Sequence, residues 1–278
     1  MDILQRVIVF SIFIMGAFFV SGVGVDYMLG RLRIFESNPN TIGVWSSIVI
    51  VMTVDLIIKE RKRKLELLYY LSAIAIAFFF VVISGSRKSL IMLAVGVFTY
   101  YIFLKRSLSS KLVLLIPFTL VIIIAYMYTM SSEIFMQRLT TELQRQDLGG
   151  RIPIWEAAYS IIRTSPYFGV GVGEFAYQTE LYLGRVRDTH NEFIQITAYS
   201  GIIGLSCFLF FLSAIAKKII YMLMNHRRIS SSLPVALFVM LIIYLLSAGG
   251  GLTSFLYWFL VAYILAKSNP EVIEDSQD

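Results

Sequence analysis

The feature that most constrains this chain is the recurrence of long apolar stretches along its whole length. Stretches of about 16–20 residues, at ~1.5 Å per residue, are long enough as helices to cross or nearly cross ~30 Å of hydrocarbon. Inside lipid, a single segment satisfies its backbone polar groups only as a helix. The chain has 58% hydrophobic and 15% charged residues and a mean hydropathy of +0.76, which excludes an ordinary soluble domain.

The apolar stretches predict an all-α fold, a polytopic transmembrane helical bundle of about eight spans that forms one membrane-embedded domain over 1–278. The first stretch is interpreted as a membrane anchor and not as a signal peptide, because no convincing small-residue cleavage site follows it. The predicted spans lie at roughly 7–25, 42–58, 66–84, 89–104, 112–130, 192–215, 233–249 and 251–266.

The basic residues of the short loops predict the orientation of the bundle. Loops 59–64, 105–111 and 217–228 are rich in Lys and Arg, which is typical of the cytoplasmic side. Eight spans place these loops and both termini together on that side. The net charge of +6 is then explained by topology, so no nucleic-acid partner is expected. The opposite side receives the long loop 131–191, predicted to be a small helical subdomain between spans five and six.

Two amphipathic helices are predicted within this loop, at 132–148 and 151–166. Pro153 suits the first turn of the second helix. Trp155 and Tyr159 share one stripe of that helix. The apolar faces are expected to lie at the membrane interface, in contact with lipids.

Arginine replaces lysine almost completely on the predicted outer side, where Lys88 is the exception. A guanidinium makes planar, two-pronged contacts with phosphate and carboxylate groups, which an ammonium cannot make. Lipid headgroups are the alternative partner for any one arginine, but the set favours an anionic ligand. The arginines are Arg31, Arg33, Arg87, Arg138, Arg145, Arg151, Arg163, Arg185 and Arg187.

One of the two histidines, His190, lies directly ahead of the sixth predicted span. Thr189 and Glu192 fit a capping-box pattern, which predicts Thr189 as the N-cap and His190 as the first helical residue. The partial positive charge of a helix N-terminus favours neutral imidazole, the form that a general base requires. Asp188 acts in the opposite direction, so the net shift stays open. Asn191 is a candidate to hold the imidazole or to bind a sugar hydroxyl, and a solvated interfacial histidine is the alternative.

The turn 84–88 precedes the fourth predicted span and carries Arg87. Helix N-terminal N–H groups and a guanidinium at the same end attract phosphate. The alternative is a polar turn with one snorkelling arginine.

Two other kinds of site are disfavoured. The glycine-rich stretch 168–175 lacks a surrounding strand–helix unit, so we expect a tight turn that brings the backbone close to the membrane or a ligand, and no dinucleotide site. The outer side has one histidine and no cysteine, and Cys207 lies within a span, so no metal site is expected.

Three segments in this order resemble the O-antigen ligase/polymerase family: "SGSRKSL" (84–90), "GGRIPIWEAAYSIIRTSPYFGVGVGEF" (149–175) and "THNEFIQITAYSGIIGL" (189–205). The resemblance extends over about 84–212, and "IFESNPNTIG" (34–43) is similar to the family's upstream Asn-Pro-Asn loop. By motif, Arg87, Arg151 and the His190–Asn191 pair match family positions.

The resemblance implies a multi-pass glycosyltransferase of the bacterial inner membrane with a periplasmic active site. Such an enzyme uses no nucleotide sugar, metal or other cofactor and takes glycan from an undecaprenyl-diphosphate-linked oligosaccharide. We expect attack on the face opposite the diphosphate, which would invert the anomeric centre. The acceptor would be a glycan or lipid A-core. The outer-loop helices would form a lid and sugar platform. The assigned residues are His190 and Arg87 for catalysis, and Arg151, Arg185, Arg187, Asn191, Trp155 and Tyr159 for substrate binding.

Several alternatives stay open. Polymerase, ligase and protein O-oligosaccharyltransferase activities share this pattern, and the acceptor is not identified. A transporter or flippase of lipid-linked oligosaccharide belongs to another class. Transporters tend to carry ionisable groups at mid-membrane and internal repeats, whereas Asp55 lies at the end of its predicted span and no repeat is evident.

Overall fold

A computed structural model describes residues 2–28, 30–59, 63–104, 140, 150–225, 232–248 and 251–269. Apart from a two-stranded antiparallel hairpin and connecting turns, these residues form helices, which confirms the all-α membrane-type fold. The elements are α1 (Asp2–Ser21), β1 (Val25–Met28), β2 (Arg31–Ile34), α2 (Pro39–Lys59), α3 (Lys64–Ile83), α4 (Arg87–Phe103), α5 (Ile152–Thr164), α6 (Val172–Leu183), α7 (Glu192–Asn225), α8 (Ser232–Ser247) and α9 (Phe255–Lys267).

Four of these helices are long and apolar enough to cross a membrane, namely α1, α2, α3 and α7. Helices α8 and α9 are apolar but have only 16 and 13 residues, and α4 has 17. The predicted span 112–130 and loop helix 132–148 lie outside the described residues. The count of eight spans therefore stays a prediction.

The chain divides into two compact units. The first consists of 1–136, 221–240 and 263–278, and the second of 137–220 and 241–262. The expectation of one domain with a separate loop subdomain stays a prediction.

In the first unit, small side chains let α2 approach the turn before α4. A Cβ atom at Gly43 would lie within 3.0 Å of the hydroxyl groups of Ser84 and Ser89. The Ser47 hydroxyl on α2 donates to the Ser89 carbonyl oxygen at 2.9 Å. Close packing of small residues is how membrane helices gain van der Waals contact. This packing fixes the turn that leads into Arg87.

A buried polar network joins four helices of the first unit. The fully buried Asp55 accepts from Gln5 Nε2 at 2.9 Å and from the Tyr100 hydroxyl at 3.1 Å, and it pairs with Lys59 Nζ at 2.7 Å. The Tyr263 hydroxyl donates to Gln5 Oε1 at 3.1 Å. Each buried polar group thus has a partner, so the network holds α1, α2, α4 and α9 together.

The core of the second unit lies where α5 and α6 meet the N-terminal part of α7. Ala158 and Ile161 of α5 pack against Phe175 of α6 and Ala198 of α7, and all four are buried. The ring of Phe175 also meets Tyr199 edge-on, with centroids 5.3 Å apart. This core attaches the two short helices to the helix that follows His190.

Helix α7 is broken at Gly201, where φ is 65° and ψ is −165°. The backbone groups freed by the break bond to the segment 166–171, which overlaps the first half of the glycine-rich stretch 168–175. The Val170 and Gly171 N–H groups donate to the Ala198 and Tyr199 carbonyl oxygens (2.9 and 3.0 Å), and the Ile202 and Ile203 N–H groups donate to those of Pro166 and Tyr167 (2.9 and 3.3 Å). The glycines therefore bring the backbone close to α7, and its predicted approach to the membrane or a ligand stays a prediction.

Candidate functional site

The segment before α7 differs from the predicted cap. Asn191 Oδ1 accepts from the Phe193 and Ile194 N–H groups at 3.0 and 3.3 Å, so Asn191 is the N-cap. The prediction that Thr189 caps the helix is wrong, since α7 begins at Glu192 and the N–H group that the Thr189 hydroxyl oxygen accepts from, at 3.3 Å, is that of Asn191, ahead of the helix. His190 consequently precedes the helix and is not its first residue.

His190 adopts a left-handed backbone conformation, with φ of 53°. Non-glycine residues rarely take this conformation, which costs about 1–3 kcal/mol and persists only where the surroundings hold it. The side chain is half-buried. The contacts of the neighbouring residues account for the strained backbone.

Gln195 holds the residue before the histidine. Its Oε1 accepts from the Thr189 backbone N–H and from the Thr189 hydroxyl, both at 2.8 Å. Its Nε2 donates to Asp188 Oδ1 at 3.3 Å and to the Tyr199 hydroxyl oxygen. Thr189 and Gln195 are both buried. The turn is thus tied to the second turn of the helix that follows it.

Trp155 ties α5 to the same turn. Its indole Nε1–H donates to the Thr189 carbonyl oxygen at 2.8 Å, and the side chain is half-buried. The sequence assigned Trp155 to sugar binding and missed this contact, which spans 34 residues along the chain. Because the indole N–H is used, the remaining ring surface is what Trp155 can offer a ligand.

Tyr159 lies one turn further along α5 and is 52% exposed. It borders a cleft of about 360 Å³ that is also lined by Glu156, Ser160, Ile162 and Arg163. This volume is at the small end of the range of ligand sites, about 300–1,000 Å³. An aromatic ring beside a carboxylate and a guanidinium can stack on a sugar ring and bond its hydroxyl groups.

The three arginines assigned to substrate binding belong to the second unit. Arg151 immediately precedes α5 and is half-buried, and Arg185 is exposed between α6 and α7. Arg187 is half-buried, and its Nε is a buried atom without a hydrogen-bond partner among the described residues. A buried donor left unpaired carries a desolvation penalty that an oxygen of a bound anion would relieve.

Arg87 belongs to the first unit, where it is the first residue of α4 and is exposed. The Ser86 hydroxyl oxygen caps α4 by accepting from the Ser89 N–H at 3.3 Å. Arg31, predicted as one of the anion-binding arginines, donates from Nε to the Ser84 carbonyl oxygen at 2.7 Å and from Nη2 to Asn40 Oδ1 at 2.6 Å. Arg31 thus braces the turn that carries Arg87, a contact that the sequence did not reveal.

The start of α7 also contacts the segment 241–262, the last part of the second unit along the chain. Glu192 is 2% exposed, and its Oε1 accepts from the Leu252 N–H at 3.3 Å. Among the described residues, no three His, Cys, Asp or Glu side chains converge as a metal ion would require. Metal-independent chemistry stays a prediction.

The chain resembles known proteins over about half of its length. Residues 72–209 match the family model described as O-antigen ligase. A comparison with curated proteins gave no match. The matched range includes Arg87, α5, α6 and the turn that contains His190.

Proposed function

Because the chain belongs to the O-antigen ligase/polymerase family of multi-pass membrane proteins, we propose that it is an inverting glycosyltransferase. Its donor is an undecaprenyl-diphosphate-linked oligosaccharide, and the reaction takes place on the periplasmic face of the bacterial inner membrane. The acceptor is a hydroxyl group of a glycan or of lipid A-core. Both termini are proposed to be cytoplasmic.

The observation that carries this proposal is the fixed, left-handed conformation of His190 in a turn held by two helices. A general base must meet its substrate in one geometry, and strained backbone is common where a site is pre-organised. Because the strain at His190 is retained, we assign the catalytic base to this residue.

The proposed step needs no cofactor. The His190 imidazole accepts the proton of the acceptor hydroxyl while the hydroxyl oxygen forms a bond to the anomeric carbon of the donor. The bond between that carbon and the diphosphate oxygen breaks with its electron pair, and undecaprenyl diphosphate leaves. Attack opposite the leaving group inverts the anomeric centre. A general base of this kind typically contributes ~10²–10⁴ in rate.

The leaving diphosphate gains negative charge, so cationic donors that contact it stabilise the transition state. We assign this role to Arg151, Arg187 and Arg185, which lie on the segments that flank the helices holding His190. The unpaired buried Nε of Arg187 supports its part in this set. The family resemblance assigns Arg87 to catalysis as well, and substitution of Arg87 alone tests that role.

The hydrogen bonds that Asn191 and Trp155 already make limit which of their groups can contact a sugar. Asn191 uses Oδ1 to cap α7, so its Nδ2 is the group that can bond a sugar hydroxyl oxygen. Trp155 offers its ring and not its N–H. Tyr159, exposed at the cleft on α5, is proposed to stack against a sugar.

Transport of the lipid-linked oligosaccharide without bond formation is the competing function. An intramembrane carboxylate is often a transport residue. Asp55, however, is fully buried and is bonded to Gln5, Tyr100 and Lys59, which are the contacts of a structural group. This observation favours an enzyme over a transporter.

The test uses protein in nanodiscs, a labelled undecaprenyl-diphosphate oligosaccharide, and samples with and without lipid A-core. A carrier-linked ladder identifies a polymerase, and label on lipid A-core identifies a ligase. Transfer to an added protein substrate identifies a protein glycosyltransferase. His190→Asn is the variant of choice, because Asn tolerates the left-handed backbone but is not basic. We expect it to abolish most transfer while binding of the carrier is retained. Folded wild-type protein that forms no bond, or that only moves the lipid across vesicles, would refute the proposal.

A further inference from the structure

We propose that Gln195 is a positioning residue that holds the His190 base in its reactive geometry. This inference rests on the proposed function, since it assigns a role within the same site. No sequence signal singles out Gln195, which lies on the second turn of α7 and is 1% exposed. Its contacts carry the argument.

The hydrogen bonds fix which way the Gln195 amide points. The Thr189 backbone N–H can only donate, so the atom 2.8 Å from it must be the amide oxygen. The Asp188 carboxylate, when ionised, can only accept, so the nitrogen must face it, as it does at 3.3 Å. The Thr189 hydroxyl and the Tyr199 hydroxyl oxygen complete the set. Both donor hydrogens of the carboxamide are thus used, and its oxygen accepts from the Thr189 N–H and shares the one Thr189 hydroxyl hydrogen with the Asn191 carbonyl oxygen.

The residues on both sides of His190 are immobilised by this arrangement. Thr189 is held through its N–H and hydroxyl by Gln195 and through its carbonyl oxygen by the Trp155 indole. Asn191 is held by capping α7, and the Thr189 hydroxyl bonds its carbonyl oxygen at 2.7 Å, across the histidine. With both neighbours fixed, the φ of 53° at His190 has no room to relax. Removal of the Gln195 amide frees the Thr189 end of this arrangement.

Two substitutions separate the contacts. Gln195→Ala removes all of them. Gln195→Glu keeps oxygen atoms for the Thr189 donors but loses the Nε2 donor and places a second carboxylate beside Asp188. Gln178→Ala is the matched control, because Gln178 lies on α6 of the same unit and bonds Glu174 Oε1 at 2.7 Å on the exposed surface.

Since misplacement of a reacting group by about 1 Å can cost about 10²-fold in rate, we expect Gln195→Ala to lower kcat by about that factor. KM for the lipid-linked donor should stay unchanged, because the Gln195 amide bonds Thr189, Asp188 and Tyr199 and none of the arginines proposed to bind the diphosphate. Gln195→Glu should give a smaller loss, and Gln178→Ala none. Hydrogen exchange of the Thr189–His190 segment should rise in the same order.

The decisive experiment combines Gln195→Ala with His190→Asn and measures single-turnover transfer. If Gln195 acts through His190, the double variant is no slower than His190→Asn alone, because the base is already missing. The inference is overturned if Gln195→Ala slows transfer by the same factor in the His190→Asn background as in the wild-type background. It is also overturned if Gln195→Ala alone does not lower kcat. Should His190→Asn leave no measurable activity, unchanged hydrogen exchange at Thr189–His190 in Gln195→Ala overturns it instead. Full activity in His190→Asn would refute the proposed base itself, which is a different result.

Discussion

The break in α7 gives the most demanding prediction, because its hydrogen bonds require glycine at defined positions. A Cβ atom at Gly201 would lie within 3.0 Å of the Tyr167 carbonyl group and the Phe168 nitrogen, at a φ of 65°. Gly171 has a φ of 79° but open space around it, and Gly173 has neither a positive φ nor a neighbour within 4 Å. Alanine substitutions at these three positions separate steric overlap from backbone strain.

The expected magnitudes follow from this geometry. Gly171 has a ψ of 167°, a backbone conformation that is almost restricted to glycine, so Gly171→Ala introduces strain of about 1–3 kcal/mol, part of which is offset by the stiffer unfolded chain. Gly201→Ala adds displacement of the segment 166–171, which makes four backbone hydrogen bonds to α7. At about 0.5–1.5 kcal/mol for each bond plus about 1–3 kcal/mol of strain, the loss is about 3–9 kcal/mol. Gly173→Ala lies within α6 and should be neutral or stabilising by up to about 1 kcal/mol.

The assay is thermal unfolding in detergent together with hydrogen exchange of peptides that cover 166–171 and 198–203. Gly201→Ala should greatly speed exchange at the Val170, Ile202 and Ile203 amides and should lower the unfolding temperature. Gly171→Ala should cause a smaller change than Gly201→Ala, and Gly173→Ala should cause no loss. If Gly201→Ala matches Gly171→Ala in both measurements, steric exclusion at the break is not what holds the two segments together.

Two further substitutions, each with a control, test a contact that stabilises the first unit and a contact that holds the turn containing His190. Asp55→Ala leaves Lys59 without its buried counter-charge and should destabilise the protein by about 3–5 kcal/mol. The control Asp26→Ala, at the exposed pair with Arg33, should change the stability by no more than about 0.5 kcal/mol. Equal unfolding temperatures for the two variants would contradict the structural role of Asp55. Trp155→Phe removes the hydrogen bond to the Thr189 carbonyl oxygen and should slow glycan transfer. The control Trp258→Phe removes a similar indole-to-carbonyl bond, made by an exposed side chain, and should leave the transfer rate unchanged. Equal transfer rates for the two variants would contradict the role assigned to Trp155.

Helix positions were largely predictable from the chain, because hydrophobic length and proline placement are local signals. The predicted helix 151–166 corresponds to α5 (Ile152–Thr164), and the predicted spans 42–58 and 66–84 correspond to α2 and α3. The break in α7 was not predictable. Gly201 sits in an apolar run that fits a continuous helix, and the groups that stabilise the break come from 166–171, about thirty residues earlier.

The sequence supplied candidate residues for the site, which stay a prediction, but it did not supply their geometry. The family motifs pointed to His190 and its neighbours. The capping pattern chose Thr189 over Asn191, since both residues precede an apolar helix and a local rule cannot distinguish them. In the structure the helix begins one residue after Asn191, and Thr189 instead bonds the Gln195 amide oxygen, a contact that the capping pattern does not include. Arg31 likewise acts across 53 residues, through the Ser84 carbonyl, where no spacing rule applies.

The order of synthesis gives the broken helix a further meaning. Unpaired backbone N–H and C=O groups oppose the entry of a segment into hydrocarbon. A helix with a fixed break therefore inserts less readily into the membrane than a continuous one. Here the partners of the break precede Gly201 in the chain and are made first. Residues 202–225 are by themselves long enough to span the bilayer as an unbroken helix. Biogenesis of α7 can therefore proceed in two stages: 202–225 inserts first as a regular membrane anchor, and 192–200 then docks against 166–171, which precedes it in the chain.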